Sequence, residues 1–281
     1  MHWKNSRKTI VTAGLAVFVP LLTCGLPAAV GLEFTTPDMD PPGRRVGGAS
    51  RAANPFPNTS PGQNDGGLFE SSDPSAPGRR VGGATRGGAS VRCMADRELP
   101  EKEHLSALVP ATNLGLTAQG YPEFHWYMPK TSAPEVEFVL TDADNKEIIY
   151  ETSLKTNGQA GIVSISLPEN ATLPALEANK DYHWSVFLVC DRGDRGADVF
   201  VDGWLRRVEP SATLAQRLRK ETPLGRAALY AQEGLWHETV SYLVKLRQSN
   251  PDNSELIDEW QELLKSVGLE DVAEAPLLGG N

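Results

Sequence analysis

The sequence lacks the features that usually identify a catalytic or metal site. It has only 3 cysteines and 5 histidines, and none of them stands at the spacing of a zinc site. It has no G-x-S-x-G motif and no glycine-rich loop that leads into a helix, so the usual signatures of a serine hydrolase and a phosphate-binding loop are absent. We therefore predict no metal, no cofactor and no enzymatic activity.

Long apolar runs are missing after the amino terminus, so we expect no transmembrane segment in the mature chain. The one apolar run, Ile10 to Leu22, follows the basic residues Lys4, Arg7 and Lys8. It is too short to span a bilayer comfortably and is typical of a cleaved secretory signal.

The small residues Ala29-Val30-Gly31 place the best cleavage site after Gly31, so residues 1–31 are predicted to be a signal peptide. The alternative is a lipoprotein signal, in which Leu21-Leu22-Thr23-Cys24 is the lipobox and Cys24 is acylated. Threonine before the cysteine departs from the usual Gly, Ala or Ser. Either signal predicts an exported protein that is periplasmic, in the outer envelope or secreted.

Two cysteines, Cys93 and Cys190, follow both cleavage sites. In an oxidising compartment an isolated pair is typical of one disulfide, and neither cysteine belongs to a CxxC motif. Closing so long a loop would stabilise the fold by a few kcal/mol, up to about 4.7. The alternative is a reactive or metal-binding thiol.

Basic residues are scarce in the part of the chain with a globular composition. From Cys93 onward, 17 Lys or Arg residues stand against 30 Asp or Glu residues. An acidic region argues against nucleic acid or an anionic membrane as its direct partner.

Large apolar residues are rare in residues 32–92, which are rich in Pro, Gly, Ser and Asn. Such a segment buries too little surface to offset its ordering entropy, so we predict a disordered linker. Within it, PGRRVGGASR at Pro42–Arg51 recurs as PGRRVGGATR at Pro77–Arg86. The two copies are either a basic peptide presented twice to an acidic surface or a duplicated linker without a partner. The second copy precedes Cys93 closely, so we expect it to pack on the core in an extended form.

Residues 93–209 contain about seven short runs in which apolar residues alternate with polar ones, separated by turn signals. This pattern predicts a β-sandwich. The period of two places Cys190 on the same face as the apolar residues from Tyr182 to Leu188. His125 and His183 lie opposite the aromatic faces of their strands, so we expect both to face solvent or a polar edge.

The turn after Cys190 is rich in charge and is expected to be an exposed tip. If the arginine pair of the second repeat docks on this protein, the expected contact is an acidic residue near that tip. The residues of this possible interaction are Arg79, Arg80, Asp191, Asp194 and Asp198.

Two alternative functions depend on residues in and near the strands. A carbohydrate-binding surface would need two exposed, coplanar rings among Trp126, Tyr127, Trp184 and Trp204, although strand aromatics more often belong to a core. A glycan hydrolase would need two carboxylates about 5–9 Å apart in a cleft. The acidic candidates on loops are Glu123, Asp191, Asp194 and Asp198.

The apolar period changes to about 3.6 from residue 210, so residues 210–281 are predicted to be helical. Thr222 is a predicted N-cap with Pro223 at the first helical position. Asp252 and Glu255 stand at the spacing of a capping box before the last helix. The middle two helices resemble a single tetratricopeptide (TPR) repeat, and a single repeat favours a hairpin docked on the sandwich over a peptide-binding array.

The chain is thus predicted to be mostly β with an α-helical tail: an immunoglobulin-like antiparallel β-sandwich followed by a TPR-like helical hairpin. Several segments together resemble a cyanobacterial family known as domain of unknown function 928. They are PGRRVGGA from Pro77, LSALVP from Leu105, SVFLVCD from Ser185, ADVFVDGW from Ala197 and AALYAQEGLW from Ala227. The resemblance implies a secreted or envelope protein with a cysteine pair, and it supplies no activity or catalytic residues.

We therefore predict an exported, non-enzymatic protein-interaction module of the cell envelope. Its expected partner is an envelope protein or an anionic or glycan polymer, and not nucleic acid. A carbohydrate-binding module is the second hypothesis and an envelope glycan hydrolase is the third.

Overall fold

The structure, a computed structural model, describes residues 32–39, 41–42, 104–170 and 172–278, together with the backbone of Gly83 and Ala84. Nine strands precede four α-helices in these residues. The strands are β1 (Gly83–Ala84), β2 (Ser106–Ala107), β3 (Leu114–Thr117), β4 (Glu123–Met128), β5 (Glu135–Asp142), β6 (Ile148–Lys155), β7 (Gly161–Ser166), β8 (Asp181–Val189) and β9 (Val199–Arg207). The helices are α1 (Leu214–Leu218), α2 (Pro223–Gln232), α3 (Trp236–Ser249) and α4 (Ser254–Ser266).

The larger sheet runs in the order β1-β9-β8-β5-β6, and β3 joins the same edge of β9 as β1. Gly83 and Ala84 pair antiparallel with Phe200 and Val199 at the start of β9. β3 pairs in parallel with Trp204–Arg207 at its end. Two residues of the second repeat copy therefore form an edge strand of the sheet.

The smaller sheet consists of β2, β4 and β7, all antiparallel, and it faces the larger sheet. The chain crosses from β4 to the larger sheet for β5 and β6 and returns for β7. It crosses once more for β8 and β9. In the spatial order of the strands, β6 and β7 are therefore edge strands of their sheets.

Alternating residues of the two sheets meet in an apolar core. Trp184, Val186 and Leu188 of β8 are fully buried, and Cys190 packs against the core just beyond the strand. The Trp184 ring lies 5.4 Å from that of Phe124 in the opposite sheet, between centroids. Burial of each large apolar side chain contributes roughly 1.5–3 kcal/mol, so this layer is the main stabilising element of the sandwich.

Two of the four helix starts, those of α2 and α4, are capped by a side chain. Thr222 caps α2 by accepting a hydrogen bond from the Gly225 amide at 3.0 Å, and Pro223 occupies the first helical position, as predicted. α4 starts one residue later than the capping-box spacing indicates. Its N-cap is Asn253, which accepts from the Leu256 amide at 3.2 Å, so the prediction of Asp252 as the cap is wrong.

Helix α3 packs on the outer face of the smaller sheet. The His125 imidazole on β4 lies 3.0 Å from the Ser241 hydroxyl on α3, and its other nitrogen lies 2.8 Å from the Ser164 hydroxyl on β7. His125 is only 2% exposed, so the prediction that it faces solvent or an edge is wrong. The period of two assigned it to the correct face, but α3 covers that face.

The segment Leu32–Met39 packs against the helices, although it begins the stretch whose composition favours disorder. Leu32 and Phe34 are buried, and the Phe34 ring meets Trp236 edge-on with 4.9 Å between centroids. The Thr35 amide donates to the Ala231 carbonyl at 3.1 Å. The physical reason is that two large apolar residues precede the Pro- and Gly-rich part and join the apolar cluster of the helices.

The described part of the chain is therefore mixed β and α, with two sheets and four α-helices, and its helices follow the strands as predicted. None of the helices within the described residues is long and apolar enough to cross a membrane.

Candidate interaction site at the open edge of the sandwich

A cleft of about 190 Å³ opens between the last strands of the two sheets, β6 and β7. Six of its ten lining residues are apolar and four are polar, and polar atoms contribute the larger share of its exposed surface. The apolar lining is Trp126, Met128, Val136, Leu154, Val163 and Leu278, and the polar rim is Lys155, Thr156, Asn157 and Ser164.

Strand register brings the lining residues together. Val136 of β5 lies directly opposite Leu154 of β6, and Trp126 of β4 lies directly opposite Val163 of β7. These two pairs belong to different sheets and line the same cleft from both sides. Seven of the ten lining residues thus lie on strands, and Thr156, Asn157 and Leu278 lie outside them.

Trp126 is fully buried in the core, and its ring forms part of the cleft wall. Its indole Nε1–H is buried and has no hydrogen-bond partner among the residues that the structure describes. A buried donor without an acceptor costs about 1–3 kcal/mol.

The edge of β7 beside the cleft already pairs with an extended segment of the same chain. The Ile162 amide donates to the Pro276 carbonyl, and the Leu278 amide donates to the Ile162 carbonyl, both at 2.8 Å. This is a short parallel bridge, Ile162 to Leu277. Gly161 permits the close approach, because a Cβ at this position would lie 2.6 Å from Leu278 Cγ.

The charged tip after Cys190 is held by internal contacts. Asp191 and Asp194 are exposed, and each accepts a hydrogen bond from a backbone amide of the turn. Asp198 is only 5% exposed: it accepts from the Cys190 amide at 3.2 Å and from Arg195 at 2.5 Å. Burial raises the pKa of Asp198. Its carboxylate is therefore engaged within the fold and is not part of an exposed acidic surface.

Replacing Arg195 with alanine is expected to lower the free energy of unfolding by about 1–2 kcal/mol, because buried Asp198 and Glu137 both lose their ion-pair partner. This is less than the loss of a fully buried pair, since the Arg195 side chain is 45% exposed. Chemical denaturation measures the change. Arg192→Ala is the matched control, because Arg192 pairs with Glu135 at the surface and should matter less; equal losses would contradict the argument.

Several predicted site residues lie outside the residues that the structure describes. They are Cys24, Arg79, Arg80 and Cys93. The Cys93–Cys190 disulfide and the docking of the arginine pair therefore stay predictions.

The aromatic candidates for carbohydrate binding do not form an exposed platform. Trp126 and Trp184 are fully buried, and Tyr127 is 7% exposed. Trp204 is half-buried, and its ring lies against the His183 imidazole with 4.6 Å between centroids. Of the candidate acids, Glu123 forms an ion pair with Lys245 on α3 at 2.9 Å, and none of the four lines the cleft.

No group of three or more His, Cys, Asp or Glu side chains within the described ranges could hold a metal ion. The histidine pair His125 and His237 lies in the interface between α3 and the sheet. Both rings are buried, and burial lowers the pKa of His125 to about 3 and that of His237 to about 4. Neutral, enclosed imidazoles of this kind hold an interface together.

Sequence reasoning did not find the cleft. Trp126 was expected to be either part of a carbohydrate-binding surface or a core residue, and no cleft was predicted from the other lining residues. Whether they line a cleft depends on which strands end the sheets, and strand order is not visible in the alternation of a single strand.

The described residues thus form two packed sheets, with helix α3 packed on the smaller sheet and a cleft between the edge strands β6 and β7. The chain belongs to the family described as Domain of Unknown Function (DUF928), whose model matches residues 81–277. This confirms the family resemblance. Comparisons with curated proteins and with solved structures gave no match.

Proposed function

We propose that the protein is an exported protein-interaction module of the cell envelope, and that it binds an extended segment of a partner protein in the cleft between β6 and β7. The observation that carries the proposal is the parallel pairing of β7 with the chain's own residues Pro276–Leu278. β-Strand addition pairs an extended peptide with an exposed sheet edge, so the part of β7 beyond this pairing has the geometry to accept a partner strand.

The backbone of β7 supports this mode of binding. Residues of an antiparallel strand alternate between pairing with the neighbouring strand and pointing away from it. The amide and carbonyl of Ile162 point away from β4 and toward Pro276–Leu278. Because the pattern repeats every second residue, the amides and carbonyls of Ser164 and Ser166 point to the same edge. A partner strand that continues along β7 beyond Leu278 would meet these groups.

The size of the cleft favours a side chain over a small molecule. Ligand pockets usually enclose about 300–1,000 Å³. A cleft of about 190 Å³ is smaller than that and suits one large apolar side chain. Buried apolar anchors of this kind supply most of the binding energy in protein interfaces.

The chemistry of the lining selects an apolar anchor on an extended backbone. The anchor would contact Leu154 and Val163. The exposed rim residues Lys155 and Asn157 offer hydrogen bonds at the solvent side. This arrangement of an apolar centre and a polar rim is typical of protein interfaces.

The two alternatives have less support. Carbohydrate binding lacks an exposed pair of rings among the four candidate aromatics. Glycan hydrolysis lacks paired carboxylates in the cleft, because its lining contains no Asp or Glu.

We also propose the more detailed fold assignments, an immunoglobulin-like sandwich and a TPR-like helical hairpin. Crossing of the chain between two packed sheets supports an immunoglobulin-like sandwich. The α2–α3 hairpin supports the TPR-like assignment: Ala227 and Trp236 are buried, and Gly234 has a φ of 71° between the helices. Because α3 is packed on β4, we infer that the hairpin is docked on the sandwich and is not a peptide-binding array.

Site-specific photo-crosslinking in the native envelope fraction tests the proposal. A photoreactive residue at Asn157, on the cleft rim, is expected to give one discrete product with a partner protein. The same residue at exposed Glu262 on α4 is expected to give none. Leu154→Trp fills the cleft and should reduce the Asn157 product at least tenfold.

Ser153→Trp is the matched control, because Ser153 is exposed on the other face of the same strand. It should leave the product unchanged. Equal products from Asn157 and Glu262, or a product that Leu154→Trp does not reduce, would refute binding at the cleft. A product with twice the mass of the chain would show self-association instead of a separate partner.

A further inference from the structure

The buried carboxylate of Glu259 on α4 has an unusual partner. It is 5% exposed and accepts a hydrogen bond from the Leu32 backbone nitrogen at 2.7 Å. Leu32 is itself 3% exposed, so the contact is enclosed on both sides. The two residues are 227 positions apart in the chain, and tertiary structure alone brings them together.

The surroundings of Glu259 are acidic. Glu255, Asp258 and Glu262, all on α4, are the charged groups that act on it. No Lys or Arg among the residues that the structure describes forms an ion pair with Glu259. One neutral peptide N–H compensates a buried carboxylate poorly, because removing a charge from water costs several kcal/mol unless an opposite charge is near.

A free α-amino group at Leu32 would supply that charge. It is protonated at neutral pH, since its ordinary pKa is about 7.7–8.0, and it offers three donors instead of one. Its nitrogen would occupy the position that already lies 2.7 Å from Glu259 Oε2. A charge-assisted hydrogen bond at this distance is about twice as strong as a neutral one.

The rest of the segment Leu32–Met39 is fixed by contacts with the helices and the turn between them. Phe34 packs on Trp236, the Thr35 amide pairs with the Ala231 carbonyl, and Pro37 lies against Gly234. This anchored segment directly follows the small residues Ala29-Val30-Gly31 of the predicted cleavage site.

We propose that the mature protein begins at Leu32 and that Glu259 binds its α-ammonium group. Hydrolysis breaks the Gly31–Leu32 amide bond: the hydroxyl of water joins the Gly31 carbonyl carbon, and its hydrogen goes to the Leu32 nitrogen, which takes up a further proton at neutral pH. Leu32 is buried in the fold, so the cut precedes docking of the segment. The inference stands independently of partner binding at the cleft.

Amino-terminal sequencing and intact mass of the protein isolated from its native envelope are the direct test. The expected first residue is Leu32. A first residue at any other position, including an acylated Cys24, would overturn the proposal.

A stability comparison tests the role of Glu259. Two proteins are prepared, one that starts at Leu32 and one that keeps Ala29-Val30-Gly31 ahead of it; the chain from Gly31 onward is a compact unit of its own. Glu259→Gln is expected to lower the thermal midpoint at least twice as far in the protein that starts at Leu32. Equal shifts in both proteins would refute binding of the ammonium group.

Glu262→Gln is the matched control for this comparison. It removes the same charge from an exposed position of the same helix. We expect a small shift of the thermal midpoint that is equal in the two proteins. A shift that depended on the start of the chain would mean that general electrostatics, and not a specific contact, links α4 to the terminus, and it would also count against the proposal.

Discussion

Replacing Trp236 with alanine is expected to lower the free energy of unfolding by about 3–5 kcal/mol, the usual range for a large core aromatic. Trp236 is 1% exposed and joins three parts of the protein. It starts α3, it packs on Phe34 of the amino-terminal segment, and its Nε1–H donates to the Leu108 carbonyl of the sandwich at 2.7 Å. Its loss should loosen the helices from the sheets, measured by chemical denaturation and by limited proteolysis of residues 210–278.

Trp236→Phe separates packing from hydrogen bonding. The phenyl ring keeps much of the apolar contact but leaves the Leu108 carbonyl without its donor, so the expected loss is about 1–3 kcal/mol. If Trp236→Ala unfolded with the wild-type midpoint, the helices would not depend on this residue, and the docked hairpin would have to be reconsidered.

Acid is expected to destabilise the protein below about pH 6.5 through His125 and His237. Burial is the main cause of the low pKa of both histidines, which is about 3 for His125 and about 4 for His237. In the unfolded chain both have the ordinary pKa of 6.5. The unfolded chain therefore binds more protons than the folded one below pH 6.5, and stability falls as the pH falls.

The expected size follows from linkage. Below pH 6.5 each histidine lowers the free energy of unfolding by about 1.4 kcal/mol per pH unit. At pH 5 each has therefore lowered it by roughly 2 kcal/mol. Lys245, which forms an ion pair with Glu123, also faces this interface and lowers the pKa of His125 further. Buried Glu238 on α3 has the opposite effect on the pH dependence of stability. Burial raises its pKa, so its contribution to the free energy of unfolding is lost as the pH rises.

Matched variants isolate the histidine term. His125→Asn should be less stable than wild type at pH 7.5, and that difference should shrink by roughly 2 kcal/mol at pH 5, since asparagine takes up no proton. Ser164→Ala removes a hydrogen bond to His125 but keeps the imidazole, so it should lower stability with an unchanged pH slope. Parallel pH profiles of wild type and His125→Asn, measured by denaturant titration, would rule out this origin of acid sensitivity.

Local chemistry made much of the fold predictable. Alternation in β8 placed Trp184, Val186 and Leu188 on the core face, where the structure has them. Thr222 and Pro223 located the start of α2, because capping depends on residues within one helical turn. The capping signal of α4 was misassigned by one residue, since Asp252 and Asn253 are both good caps and their turn geometry decides between them.

The candidate site was less predictable. The cleft requires that β6 and β7 end their sheets, and this depends on how the chain crosses between the sheets. The burial of Asp198 required Arg195 to fold back over it, which the expectation of an exposed tip did not include. Leu32 and Phe34 were not recognised as core residues, because their helical partners lie about 200 residues further along the chain.

The sequence by itself determined the strand phases, the caps of α2, the family and the order of strands before helices. The tertiary structure decided what covers each face. His125 shows the difference: its phase on β4 follows from its nearest neighbours, but its burial depends on Ser241, 116 residues away. Periodicity is set by the local backbone and is present in any short window of sequence. Burial is set by which distant element packs on that face, and no local pattern contains that information.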